Sequence, residues 1–117
     1  MTASLAHGAT FVLMTLSAIG LSACGSDDEM RPTFDGVRFN ATASAESRQD
    51  RAAFTAVVRG AEASLTGAVQ AAEHEGIRHC ITYFGTSDIA WQVGPDTPPE
   101  ALPIENGTLR LTGRCRD

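Results

Sequence analysis

Apolar and polar residues alternate strictly from Val37 to Ala45. Val37, Phe39, Ala41, Ala43 and Ala45 fall on one side, and Arg38, Asn40, Thr42 and Ser44 on the other. A period of two over this length predicts a strand with one buried face. Residues 46–50 are polar and read as a turn. Residues 52–59 predict a second strand with Phe54, Ala56 and Val58 inward, ended by Gly60. So short a link predicts an antiparallel hairpin.

The period then changes to three and four. Leu65, Ala68, Val69, Ala72, Gly76, Ile77, Cys80, Ile81 and Phe84 form one apolar stripe of a helix. Ser64 suits the N-cap, and Gly85 suits the position just past the end. Glycine in a helix interior costs about 1 kcal/mol, so Gly76 on the stripe predicts close approach of helix to sheet. Residues 88–94 give a third strand, with Ile89, Trp91 and Val93 on one face. A Pro-rich loop follows at 95–103. Asn106-Gly107 then turns into a fourth strand, with Leu109, Leu111, Gly113 and Cys115 in phase. The expected fold class is α+β: a two-layer α/β sandwich of order β-β-α-β-β. One helix covers a four-stranded, mostly antiparallel sheet whose other face is wet.

The N-terminal segment differs in kind. All nine Arg and all fourteen acidic residues lie after Ala23, and there is no Lys. Residues 10–21 form an apolar run of about twelve, short of the roughly 20 that a membrane-spanning helix needs and suited to a signal-peptide core. It runs into Leu21-Ser22-Ala23-Cys24. This tetrad resembles the lipobox of bacterial lipoproteins: an aliphatic residue, two small ones, then cysteine. The resemblance implies diacylglycerol on the Cys24 sulfur and signal-peptidase cleavage between Ala23 and Cys24. One feature departs from the usual signal: residues before the apolar run carry no Lys or Arg. The implied organisation is a leader at 1–23, a lipidated cysteine and polar tether at 24–32, and a small domain at 33–117. The eight tether residues after Cys24 reach at most ~28 Å, which keeps the domain near its membrane. Gly25 after the cysteine implies, by resemblance to Gram-negative sorting, the periplasmic face of the outer membrane over the inner membrane.

Charge and cysteine count narrow the chemistry. The formal net charge is −5, which disfavours non-specific nucleic-acid binding. With Cys24 assigned to lipid, Cys80 and Cys115 remain, in an oxidising compartment. Both lie in phase with the buried stripes, which predicts a Cys80–Cys115 disulfide; two buried thiols are the alternative. The run from His74 to His79 lacks zinc-protease spacing, because histidines five apart diverge by about 140° around a helix. They are expected to be exposed. No metal set, nucleophile elbow or acid–base pair emerges, and the only expected adduct is the lipid on Cys24. Gly85-Thr86-Ser87-Asp88 reads as a helix stop, and Trp91 as core. The outward positions include Arg38, Arg59, Arg110 and Arg114, with Asn40, Thr42, Thr55, Gln92 and Thr112 among them. Guanidinium groups grip carboxylates and phosphates through forked hydrogen bonds, so this face is the candidate surface for an anionic partner. The chain is similar to small Gram-negative envelope lipoproteins. That likeness identifies no activity; an anchored domain with no catalytic set and one arginine face is expected to be a non-enzymatic adaptor touching another envelope protein or peptidoglycan. The alternative is a module for a small periplasmic ligand, with its pocket under the 95–103 loop.

Overall fold

The structure is a computed structural model that describes residues 31–117. The lipobox, the cleavage point and Cys24 lie outside the described residues. Residues Arg31–Asp117 form one compact unit. Its elements are β1 (Asn40–Ala45), β2 (Ala53–Arg59), α1 (Leu65–Phe84), β3 (Ile89–Val93), β4 (Ile104–Glu105) and β5 (Thr108–Cys115). Single 3₁₀ turns occupy Ala61–Ala63 and Pro99–Ala101. The fold is α+β, with one helix on an antiparallel sheet. The sheet has five strands where the sequence pattern gave four, because Asn106 and Gly107 close a short hairpin between β4 and β5.

Strand order is β1-β2-β5-β3, with β4 also on β5. Since β2 holds one edge of β5, β3 and β4 share the other. Both β2 and β3 run antiparallel to β5, so they are parallel to each other with β5 between them. Helix α1 makes that crossover. The alternation of the sequence sets the faces. Phe54, Ala56 and Val58 of β2 and Leu109 and Leu111 of β5 are fully buried beneath the helix.

The first strand begins later than the alternation predicts. Phe34 and Val37 bond each other across a tight turn, with N···O distances of 2.8 and 3.0 Å. That turn uses up the hydrogen bonds Val37 would offer a sheet. The partner strand is also missing there: Asn40 pairs with Arg59, and the next residue, Gly60, leaves the sheet at φ 72.

Helix α1 starts and stops where expected. The Ser64 hydroxyl accepts from the Gly67 amide at 3.0 Å and donates to Asp35 at 2.7 Å. Gly85 sits at φ 68 and its amide donates to the Ile81 carbonyl. The buried face keeps Ala68, Ala72, Gly76 and Cys80 of the predicted stripe but turns away from its larger members, a correction of phase. Gly67, Ala68, Ala71, Ala72, Gly76, His79 and Cys80 are buried, whereas Ile81 is 53% and Phe84 37% exposed. The small residues face the sheet because the helix lies too near it for large ones. A Cβ on Gly76 would sit 2.7 Å from Trp91 Cη2 and 2.9 Å from Phe54 Cε2.

The Cys80–Cys115 disulfide is present, with Cα atoms 5.4 Å apart. It ties the last strand to the helix across the core. A loop of about 36 residues is worth about 4 kcal/mol in the chain-entropy account of cross-linking.

Two stability measurements follow. Replacing both Cys80 and Cys115 by Ala lowers unfolding free energy by about 4 kcal/mol in urea titration. Gly76→Ala lowers it by about 1–3 kcal/mol despite alanine's better helix propensity, because the methyl has nowhere to go. A gain in stability for Gly76→Ala shows instead that the helix can back away from Trp91 and Phe54.

Candidate functional site

The face of the sheet away from α1 carries the outward half of each alternation. Asn40, Thr42 and Ser44 of β1, Thr55, Val57 and Arg59 of β2, and Arg110, Thr112 and Arg114 of β5 share it. Register fixes their neighbours. Arg59 lies opposite Asn40, and Arg110 opposite Val57. Arg59 and Arg110 are therefore diagonal neighbours on adjacent strands, a spacing of roughly 7–8 Å.

These two arginines line one depression of about 370 Å³, together with Asn40, Thr42 and Val57. Among the described residues neither guanidinium makes an ion pair. Two cations side by side repel, and an anion seated between them removes that repulsion while accepting forked hydrogen bonds. Asn40 and Thr42 add neutral donors at the rim, and Val57 supplies an apolar floor.

The other two predicted arginines are placed differently. Arg114 sits at the far end of β5 and donates to Asp50 Oδ2 at 2.8 Å. Arg116 lies 3.9 Å from Asp88. Arg38 is exposed but precedes β1, outside any strand. The structure thus brings Arg59 and Arg110 into one depression, which Arg38 and Arg114 do not line.

Around Arg114 lies a second depression of about 370 Å³, lined by Asp50, Arg51, Phe84, Asp117 and the disulfide residue Cys115 among others. Its Arg114 is paired with Asp50, and its Arg51 lies over the Tyr83 ring. Beside the 95–103 loop, Trp91, Gln92, Gly94, Pro95, Asp96 and Thr97 line a smaller hollow of about 240 Å³. Its turn is internally bonded: the Gly94 amide donates to Thr97 Oγ1 and the Thr97 amide to the Gly94 carbonyl.

His79 corrects the expectation of exposed helix histidines. It is only 7% exposed. Its Nε2 donates to the Arg51 carbonyl at 2.7 Å, and its ring lies 5.3 Å from Phe54 and 4.9 Å from Tyr83. The Arg51 guanidinium caps the Tyr83 ring at 4.7 Å. This cluster pins the segment before β2 to the helix. The spacing Ala72, Gly76, His79, Cys80 carried the signal, since it puts His79 on the small-residue face. His74 instead packs on Phe34, with centroids 5.6 Å apart.

The Arg114 hydrogen bond holds the Asp50 carboxyl below the 3.8 of an unperturbed aspartate. A folded-state pKa below the unfolded one means that the pair's stabilisation is present above the unfolded value. It is lost as pH falls through the lowered pKa. Carbon-detected NMR titration should place the Asp50 midpoint below 3.8, and Arg114→Ala should bring it back up. An Asp50 midpoint indifferent to Arg114→Ala contradicts the pairing. Compared with protein-family models, with curated proteins and with solved structures, the chain matches none.

Proposed function

We propose that this chain is a lipid-anchored envelope lipoprotein, held by Cys24, whose open sheet face binds carboxylate groups of a neighbouring envelope component. Its anchor is the lipid on Cys24, its compartment the periplasmic side of the outer membrane, and its role that of an adaptor without catalysis. The observation that carries the binding role is the Arg59–Arg110 depression, with two unpaired guanidinium groups beside Asn40 and Thr42. A molecule of net charge −5 that keeps two adjacent arginines free of its own acids has a local surface opposite in sign to its average. Such a surface selects anions at short range and yields to salt. Peptidoglycan stem peptides and acidic side chains of envelope proteins both present carboxylates. The lipobox tetrad supports the anchor, and the short tether limits partners to those near the membrane surface.

The test is recovery of crosslinked partners from native membranes, together with sedimentation on isolated peptidoglycan sacculi. The double variant Arg59→Ala/Arg110→Ala should recover its partner or sacculi about tenfold less well than the unsubstituted chain, a loss of about 1.4 kcal/mol. Arg116→Ala should bind as before. Separately, Cys24→Ala should release the chain from the membrane fraction. Equal recovery by the double variant removes the binding role; membrane retention by Cys24→Ala removes the anchor.

A further inference from the structure

We propose that β1 is a self-pairing edge, through which two copies of this chain join into one continuous antiparallel sheet. Strand β1 is the outer strand of the order β1-β2-β5-β3. Exposed edges are normally blunted by charge, proline or a bulge. The opposite edge has such devices: a register shift between Trp91 and Val93 and prolines at 95, 98, 99 and 103. Strand β1 reads NATASA, six residues with no charge and no proline, paired with β2 without interruption.

The hydrogen-bond pattern says which groups are on offer. The Glu46 amide donates to the Ala53 carbonyl at 3.0 Å. In an antiparallel ladder such bonds recur at every second residue, so Ser44, Thr42 and Asn40 also face β2. Ala41, Ala43 and Ala45 then direct their amides and carbonyls at the free edge. Among the described residues these groups meet no other strand.

Charge chooses the occupant and the register. Arg38 and Glu46 flank β1, eight residues apart and in the same phase, and both are exposed. Among the described residues neither makes an ion pair. Two β1 strands running antiparallel about Thr42 set Arg38 opposite the second copy's Glu46, and Glu46 opposite the second copy's Arg38. Ala41 then pairs with Ala43 in bonded positions, and Thr42 meets Thr42 in the closer, non-bonded position. Moving the centre to Ala43 sets Arg38 level with Arg48, like against like. The strand is thus complementary to itself in one register. A foreign peptide could use the same amides, but the flanking charges match this chain's own sequence. The joined open face carries two Arg59–Arg110 depressions, although the pairing stands without them.

Mild oxidation of the full chain tests the register. At the two-fold centre the Thr42 Cα atoms approach to about 4.5 Å, within disulfide reach. Two Ser44 residues stay about 13 Å apart. Thr42→Cys should therefore form an intermolecular disulfide joining two tryptic segments 39–48, at least about tenfold more than Ser44→Cys. Adding Arg38→Glu should reduce that yield several-fold, and adding Glu46→Arg to it should restore the yield. Light scattering of the unsubstituted lipidated chain in detergent should give the protein mass of two chains. A one-chain mass overturns the proposal whatever the variants do. So do equal yields for Thr42→Cys and Ser44→Cys, or a yield that ignores Arg38→Glu.

Discussion

Helix α1 and the sheet meet at a distance set by Gly76, where Trp91 and Phe54 leave no room for a methyl group. The neighbours of Gly76 on that face obey the same limit: Ala68, Ala72 and Cys80 are fully buried, and Ala71 nearly so. Much else follows from that spacing. Cys80 comes within bonding reach of Cys115 on β5. His79 reaches over Phe54 to the Arg51 carbonyl and fixes the chain entering β2. The larger residues Ile81 and Phe84 cannot enter so thin a layer and stay outside. A small domain buries a modest share of its surface, so the cross-link supplies restraint that the thin core does not.

A single helix on one face leaves the other face to solvent, and the charge on that face is not uniform. At the C-terminal end of β5, Arg114 and Arg116 are answered by Asp50 and Asp88. Toward the start of β5, Arg110 stands beside Arg59, and among the described residues neither makes an ion pair. Exposed pairs such as Arg114–Asp50 contribute little to stability. Their effect on the surface is larger, because each neutralised arginine is one fewer competitor for an incoming anion. Positive charge is concentrated where the protein does not quench it.

The fold was legible wherever periodicity was strict. The alternations in β2 and β5, the Ser64 cap, the Gly85 stop and the cysteine phasing all follow from local rules that the tertiary structure does not oppose. The departures have tertiary causes. Val37 fits the alternation, but Gly60 removes its partner strand and the Phe34 turn takes its hydrogen bonds. The helix stripe was right at Ala68, Ala72, Gly76 and Cys80 but was carried on to Ile81 and Phe84, whereas a close helix buries its smallest residues; that error of phase also hid His79. The arginine face was legible as a phase, since Arg59, Arg110 and Arg114 do point away from the helix. Which of them are neighbours depends on strand order, and β5 lies beside β2 only because the crossover through α1 leaves a gap for it. Nothing local to residue 110 announces residue 59.

That insertion of β5 between β2 and β3 also decides which edges of the sheet stay open. A chain that simply added strands in order would bury β1's neighbour and present β5 at the rim. Here β5, the longest strand and the one bonded to the helix through Cys115, is enclosed on both sides. The rims are β1 on one side and β3 with β4 on the other. The second rim is interrupted by the register shift at Trp91 and by the proline-rich loop, so backbone pairing there is limited to short stretches. The first is regular, uncharged along its length, and bracketed by Arg38 and Glu46. Open backbone groups on a regular edge favour strand addition in general, and flanking charges of opposite sign favour an antiparallel partner carrying the same pattern reversed. A strand bracketed by one cation and one anion in equal phase supplies that pattern to its own copy, so the least protected element of the fold is also the most specific one in what it can accept.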